Sequence, residues 1–215
     1  MDYAAARRYM VESQLRTNRV NDPLILAAMA AVPREAFAPE SAKALAYRDE
    51  ALPLGHGRFL MEPLALARLL QAAGIRETDV VLEVGCGTGY GAAVIARIAN
   101  AVVALESDPA LAALAGRILA DQHAASIVVA EGPLESGYPR QAPYDVIVMG
   151  GAVADIPRAI QEQLAEGGRL VAIQQQGVGK GILLSRHGST FARRELFELG
   201  APPLPGFAQK AAFVF

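Results

Sequence analysis

Glu83 stands two residues before Gly85 in the run VVLEVGCGTGYG, and Gly85, Gly87 and Gly89 alternate behind it. Glycines in this pattern let backbone N–H groups approach a ligand closely and take up positive φ angles. Two more acids stand at matching places. Glu106 ends the next apolar run, 21 residues after Gly85, and Glu131 ends the run after that. A carboxylate at the second strand end can accept from ribose hydroxyls, and one at the third can approach a purine edge. A carboxylate inside the first strand is costly to bury unless it meets a donor, such as an ammonium group. Each acid alone reads as a cap or an ion-pair member. Together with the glycines they describe a nucleoside site.

Two other glycine-rich sites fail on spacing. A P-loop needs Lys and then Ser or Thr after its second glycine, and here Thr88-Gly89-Tyr90 occupy that place. The dinucleotide pattern G-x-G-x-x-G asks for a glycine at position 90, which is Tyr90. No basic residue accompanies the acids to meet a pyrophosphate. The set suits a ligand with a ribose, a purine and an ammonium but no phosphate, and S-adenosylmethionine answers that description. Such a site requires that the carboxyl groups converge and that no side chain of the protein itself blocks the turn.

The elements that must position these residues follow from periodicity. Near-continuous apolar runs at 80–85, 101–107, 126–132, 144–151 and 168–175 read as strands, with helix patterns YGAAVIARIA, DPALAALAGRILADQH and IPRAIQEQLAEGG between them. Apolar strands alternating with helices predict a doubly wound α/β fold: a mostly parallel, seven-stranded sheet covered on both faces. GKGILLSRHGSTFARRELFELG reads as two closing strands joined at His187-Gly188-Ser189. Upstream, a helix is expected over 3–17, a second from Asp22-Pro23 to Pro33, and a third, PLALARLLQAAG, ending at Gly74. The segment between the second and third is expected to be mostly connection. The chain thus divides into a helical extension with a substrate-side loop over 1–77 and an α/β core with hairpin and tail over 78–215. The proline-rich, then apolar, tail APPLPGFAQKAAFVF is expected to dock on the body.

Composition narrows the class. The 215 residues carry a net charge of -2, which leaves no broad basic surface for nucleic acid. Cys86 is the only cysteine, so no disulfide framework exists and a reducing compartment, the cytoplasm, is expected. The N-terminus lacks the apolar core of a secretory signal, and no apolar run reaches membrane-spanning length. The three histidines, His56, His123 and His187, show no ligand spacing, and no metal is expected.

LEVGCGTGYGAAVIARI, with ALESDP, AEGPL, YDVIVMGGA and LAEGGRLV, resembles the class I S-adenosylmethionine-dependent methyltransferases. MVESQLRTNRVNDPLILAAMAAVPREAFAPE, followed by AYRDEALPLGHGR, is similar to the protein-L-isoaspartate O-methyltransferase family, and the likeness runs from about Met10 to Leu199. It implies methylation of the free carboxylate of isoaspartyl residues in damaged proteins or peptides, with S-adenosyl-L-methionine as cofactor. That carboxylate is already ionised at neutral pH, so catalysis is mostly alignment and exclusion of water. By position, the resemblance puts Glu83, Gly85, Gly87 and Gly89 around the methionine moiety, Glu106 at the ribose, and Glu131 and Gly132 at the adenine. Cys86 stands in the same turn, where many relatives carry threonine, and reads as a small packed residue. Glu131 stands where aspartate is common.

The departures gather on the substrate side. After the glycines the family continues Gln-Thr-Ile-Ser, and this chain has Arg58, Phe59, Leu60 and Met61 behind His56. The hydroxyl positions become Phe59 and Met61, so the family serine is replaced by a thioether and no catalytic residue is assigned. A carboxylate there loses a hydrogen bond worth about 1.5–3 kcal/mol, for which Arg58 can compensate by forking onto the carboxylate unless it is a solvated loop residue. The Phe59–Met61 run also reads as packing beneath the helical extension. The tail departs too, with PPLPGFAQKAAFVF where the family has a Val-Pro-Leu type segment. Three functions stay open: an isoaspartyl methyltransferase, a methyltransferase of this fold with another acceptor, and a non-catalytic S-adenosylmethionine-binding interaction protein. A nucleotide oxidoreductase is a distant fourth.

Overall fold

The computed structural model describes residues 1–122 and 124–208. His123 and residues 209–215 of the tail lie outside the described residues. The chain opens with α1 (Tyr3–Tyr9), which runs on as a wider helical turn over Met10–Leu15. α2 (Pro23–Ala31) starts as its sequence requires: Asp22 accepts from the Leu24 and Ile25 amides, and Pro23 fills the first position. The connection that follows is mostly short turns but contains an antiparallel pair, β1 (Leu52–Gly55) and β2 (Arg58–Leu60). Two strands of four and three residues are too short to give a periodic signal. Their turn is set by positive φ at Gly55, His56 and Gly57. α3 (Pro63–Ala73) ends at Gly74 in the left-handed conformation, as expected of a C-terminal glycine.

The core alternates β3 (Val80–Val84), α4 (Tyr90–Ile95), β4 (Ala101–Glu106), α5 (Pro109–Asp121), β5 (Ile127–Glu131), β6 (Tyr144–Val153), α6 (Arg158–Gln161) and β7 (Leu164–Gln176). An antiparallel β8 (Val178–His187) and β9 (Thr190–Glu198) complete it. The seven-stranded sheet has the order β5-β4-β3-β6-β7-β8-β9, with β3 through β7 parallel. The α/β class, the mostly parallel sheet and the closing hairpin are those the sequence implied. One helix is not. The pattern over 156–168 folds as a single turn, α6, because β6 takes the chain back early: the Tyr144 amide binds the Gln163 carbonyl at 2.8 Å and Tyr144 pairs with Leu164.

Period-two alternation assigns each strand residue to a layer. Val81, Val102, Ala104, Val146, Val148, Val171 and Ile173 face one cluster, which also holds Met10, Leu15, Ile25, Met29, Leu69 and the buried side of α4. The helical extension is therefore built into the core on that face. Leu82, Val84, Val103, Leu105, Ile147, Met149 and Leu170 face the other cluster, with Leu204 and Phe207 from the tail. The described part of the tail docks beside β6, where Leu204 donates to the Ala152 carbonyl and the Ala152 amide donates to Pro202, both at 2.8 Å. Among the described residues no helix is long and apolar enough to cross a membrane.

Candidate functional site

Glu83 shares its face of β3 with Val81 and so turns under the start of α4. Gly91 makes the room: a Cβ there would overlap the Glu83 carboxyl group. Glu83 is 3% exposed, and its Oε2 has no hydrogen-bond partner in the protein. Burial pushes the carboxyl up to about 8, against the Ala92 amide and the Arg58 charge, both of which favour the carboxylate. A buried acid with one idle oxygen is a receptor for a cationic donor.

Behind it, the Gly85 and Cys86 amides both donate to the Leu105 carbonyl, at 2.8 and 3.0 Å, which fastens the turn to β4. Gly85, Gly87 and Gly89 have φ of 84, 57 and 94°, so the alternation serves backbone conformation as well as clearance. Cys86 is buried within the turn. Burial, with the charges of Glu83 and Glu106, drives its thiol well above the ordinary range and away from thiolate chemistry.

Glu106 closes β4 with no exposed surface. Its Oε2 accepts from the Gly87 amide at 2.8 Å, and its Oε1 accepts from the Ser107 and Asp108 amides at 2.8 and 3.2 Å. The remaining capacity goes to Arg58, whose Nε lies 3.2 and 3.3 Å from the two oxygens and whose Nη2 lies 3.0 Å from Oε2. Burial alone would raise this carboxyl. The Arg58 hydrogen bonds and charge outweigh burial, with help from the Asp108 and Gly87 amides, and hold it below the ordinary range. Glu131 pairs in register with Glu106 at the end of β5 and is exposed, and the Gly132 amide donates to the Glu106 carbonyl at 3.1 Å.

The turn is not open, so the requirement that no side chain of the protein block it is not met. Arg58 is neither a solvated loop residue nor free for a substrate carboxylate: it is 3% exposed and bound to Glu106. Leu54 and Leu204 cover the rest. A Cβ on Gly85 would overlap Leu204 and stand 2.8 Å from Arg58 Nη2, and one on Gly87 would stand 2.9 Å from Leu54 Cδ1. The cause is electrostatic and apolar together. Glu106 holds Arg58 over the turn, and Leu54 and Leu204 lie over the glycine backbone beside it.

The substrate-side loop does meet the donor-side residues. Phe59, Leu60 and Met61 line one small cavity, of about 20 Å³, with Glu83, Gly85, Cys86 and Tyr90. His56 stays outside it at the hairpin tip, where its Nδ1 lies 2.9 Å from Asp108 Oδ2. His187 sits exposed at the β8–β9 turn. Larger cavities lie by the α5–β5 connection, one of about 350 Å³ reaching the ends of α2 and α4 and one of about 460 Å³ beside α5 and β5, and neither is lined by the acids named above.

Three contributors escaped the sequence reading. Arg34 is fully buried, donates to the Ala46 and Met61 carbonyls at 2.7 Å each, and stacks 4.8 Å above the Tyr90 ring, so it pins the substrate-side loop. Thr88 Oγ1 donates to the Phe37 carbonyl at 2.7 Å and ties the glycine turn to the extension. Leu204 arrives from the tail. Only the charge of Arg34, beside Glu35 just after α2, marks any of them in the sequence.

Sheet order, the glycine turn and the closing hairpin define a doubly wound α/β fold. The family model for protein-L-isoaspartate(D-aspartate) O-methyltransferase matches residues 6–187. Protein-L-isoaspartate O-methyltransferase 1 of Rhodopseudomonas palustris (strain HaA2) is 44% identical over 169 residues, covering 79% of this chain and 69% of the relative. The Roseiflexus sp. (strain RS-1) protein-L-isoaspartate O-methyltransferase is 39% identical, covering 96% and 94%. A solved protein-L-isoaspartate O-methyltransferase superposes with a TM-score of 0.81 at 24% identity, over 93% of this chain and 66% of that one. A Plasmodium falciparum candidate of the same type, in complex with S-adenosyl-L-homocysteine, gives 0.78 at 15% identity, over 94% and 97%. The chain belongs to the protein-L-isoaspartate(D-aspartate) O-methyltransferase family.

Proposed function

We propose that the chain is an S-adenosylmethionine-dependent methyltransferase acting on the carboxylate of isoaspartyl residues in damaged proteins and peptides, and that it works in the cytoplasm without nucleic acid. One observation carries the proposal: within the family match, the donor-side residues Glu83 and Gly85 and the substrate-side loop Phe59–Met61 line the same cavity. The residues fit the donor. Glu83 offers a buried, unpartnered oxygen for an ammonium, the glycine backbone of the turn lies beneath Arg58, Leu54 and Leu204, and Glu106, Glu131 and Gly132 are assigned to ribose and adenine. When bound, the group supplies a sulfonium-activated methyl. The chain's own residues orient and desolvate. Phe59, Leu60 and Met61 exclude water from the acceptor side, and Arg34, through the Met61 carbonyl, fixes where that loop stands.

A second reading rests on Phe59 and Met61. With apolar side chains at both hydroxyl positions, the same fold would serve another acceptor, or bind the donor without catalysis. Incubation with an isoaspartyl peptide and methyl-labelled donor decides: base-labile methyl ester is the expected product, and its absence overturns the isoaspartyl assignment. Turnover that appears only with Met61→Ser would put the cause at the loop.

A further inference from the structure

Arg58 meets Glu106 inside the crevice assigned to the donor, where the Ser107 hydroxyl also donates to Glu106 Oε1 at 3.3 Å. Three backbone amides, of Gly87, Ser107 and Asp108, already satisfy Glu106. Arg58 is therefore an additional partner. The hairpin carrying it is latched a second time, by His56 on Asp108 at 2.9 Å, and Leu54 of the same hairpin covers Gly87. On the other flank Leu204 of the tail packs on Gly85. The cavity lined by Glu83, Gly85 and the Phe59–Met61 run holds about 20 Å³, whereas small-molecule sites run to about 300–1,000 Å³. A nucleoside cannot share Glu106 with a guanidinium that already spans both carboxylate oxygens.

We propose that the β1–β2 hairpin is a gate on the donor site and that Arg58 is its affinity-setting residue: it competes with the donor ribose for Glu106, so the donor enters only as the guanidinium leaves. The inference rests on the donor assignment proposed above. A site that is open only part of the time has its apparent dissociation constant raised by the reciprocal of the open fraction. The closed packing on both flanks makes that fraction small. Removing the guanidinium leaves Glu106 with its three amides, so the opened variant keeps a satisfied acid and a folded core.

Calorimetric titration of the full chain with S-adenosylmethionine and with S-adenosylhomocysteine tests this without reference to turnover. Arg58→Ala should bind both at least tenfold more tightly than the parent. Stopped-flow binding to the parent should reach a plateau rate as ligand is raised, set by gate opening, and the plateau should vanish in the variant. Leu204→Ala, which leaves the ion pair intact, should tighten binding by a smaller factor, and it carries the test if Arg58→Ala fails to give a cooperative melt. Unchanged or weaker binding by folded Arg58→Ala, with measurable binding by the parent, overturns the gate and spares the donor assignment. No binding by the parent or by either variant overturns both.

Discussion

Replacing Glu83 with Gln should make the protein more stable and unable to bind its donor. In the fold this carboxyl keeps its proton up to about pH 8, whereas its ordinary value is 4.5. Below pH 4.5 folded and unfolded chains are both protonated here, and the residue has no pH-linked effect. As pH rises from there toward 8, the unfolded chain gives up the proton and the folded chain does not, so stability falls throughout that window. At about 1.4 kcal/mol for each tenfold displacement, the loss reaches about 4 kcal/mol by pH 8. Gln keeps the shape, can accept from the Ala92 amide and never ionises. Urea unfolding of the two proteins should therefore agree within about 1 kcal/mol at pH 5 and diverge to about 4 kcal/mol in favour of Glu83→Gln at pH 8. For a domain of this size that is a rise in melting temperature of about 8–16 °C. The stabilised protein lacks the acid proposed to meet the ammonium, so it should give no calorimetric heat with the donor at millimolar concentration. A stability difference that stays constant from pH 5 to 8 refutes the reasoning.

Two further outcomes follow from buried charge. Glu106→Gln strands Arg58 without its partner and should cost about 3–5 kcal/mol by denaturant unfolding, more than Arg58→Ala, because the Glu106 carboxylate keeps three amide donors. Arg34→Met should lose about 2–3 kcal/mol by leaving the buried Ala46 and Met61 carbonyls unpaired, and limited proteolysis should then cut between residues 45 and 62 faster than in the parent.

The fold was legible where periodicity is strong. The five parallel strands announce themselves as apolar runs, and Asp22, Gly74 and the His187-Gly188-Ser189 turn each obey a local rule whose cause is a backbone group needing a partner or a positive φ. The failures share a different cause. The 156–168 helix pattern lost to pairing with β6 because a strand neighbour claimed Gln163 and Leu164, and no local rule contains that neighbour. The three acids and the glycines proposed for the donor were legible as residue types at strand ends and in the turn. What fills the space between them was not: Arg58 lies 48 residues from Glu106, and Leu204 reaches Gly85 from the far end of the chain. Contacts of that separation are decided by packing. Arg34 was hidden for the same reason, since its partners Ala46 and Met61 are backbone carbonyls, which carry no sequence signature.

The two deep acids meet one electrostatic problem by opposite routes. Glu106 stays ionised by taking a guanidinium and three amides; Glu83, with only the Ala92 amide and a distant charge in its favour, stays neutral by keeping its proton. Neither route is permanent, because one partner can rotate away and the other can dissociate. A ligand that offers ribose hydroxyls to Glu106 and an ammonium to Glu83 must displace both, and the two displacements are linked. When Arg58 withdraws, Glu83 loses a cation that was favouring its carboxylate, and only a cation brought by the ligand can take over that role. On the gate proposed above, a nucleoside without an ammonium would hold Glu106 and leave Glu83 still protonated, whereas an amino acid without a ribose would gain nothing from Glu106. On that proposal, selection for a molecule carrying both groups rests on how the two acids are buried.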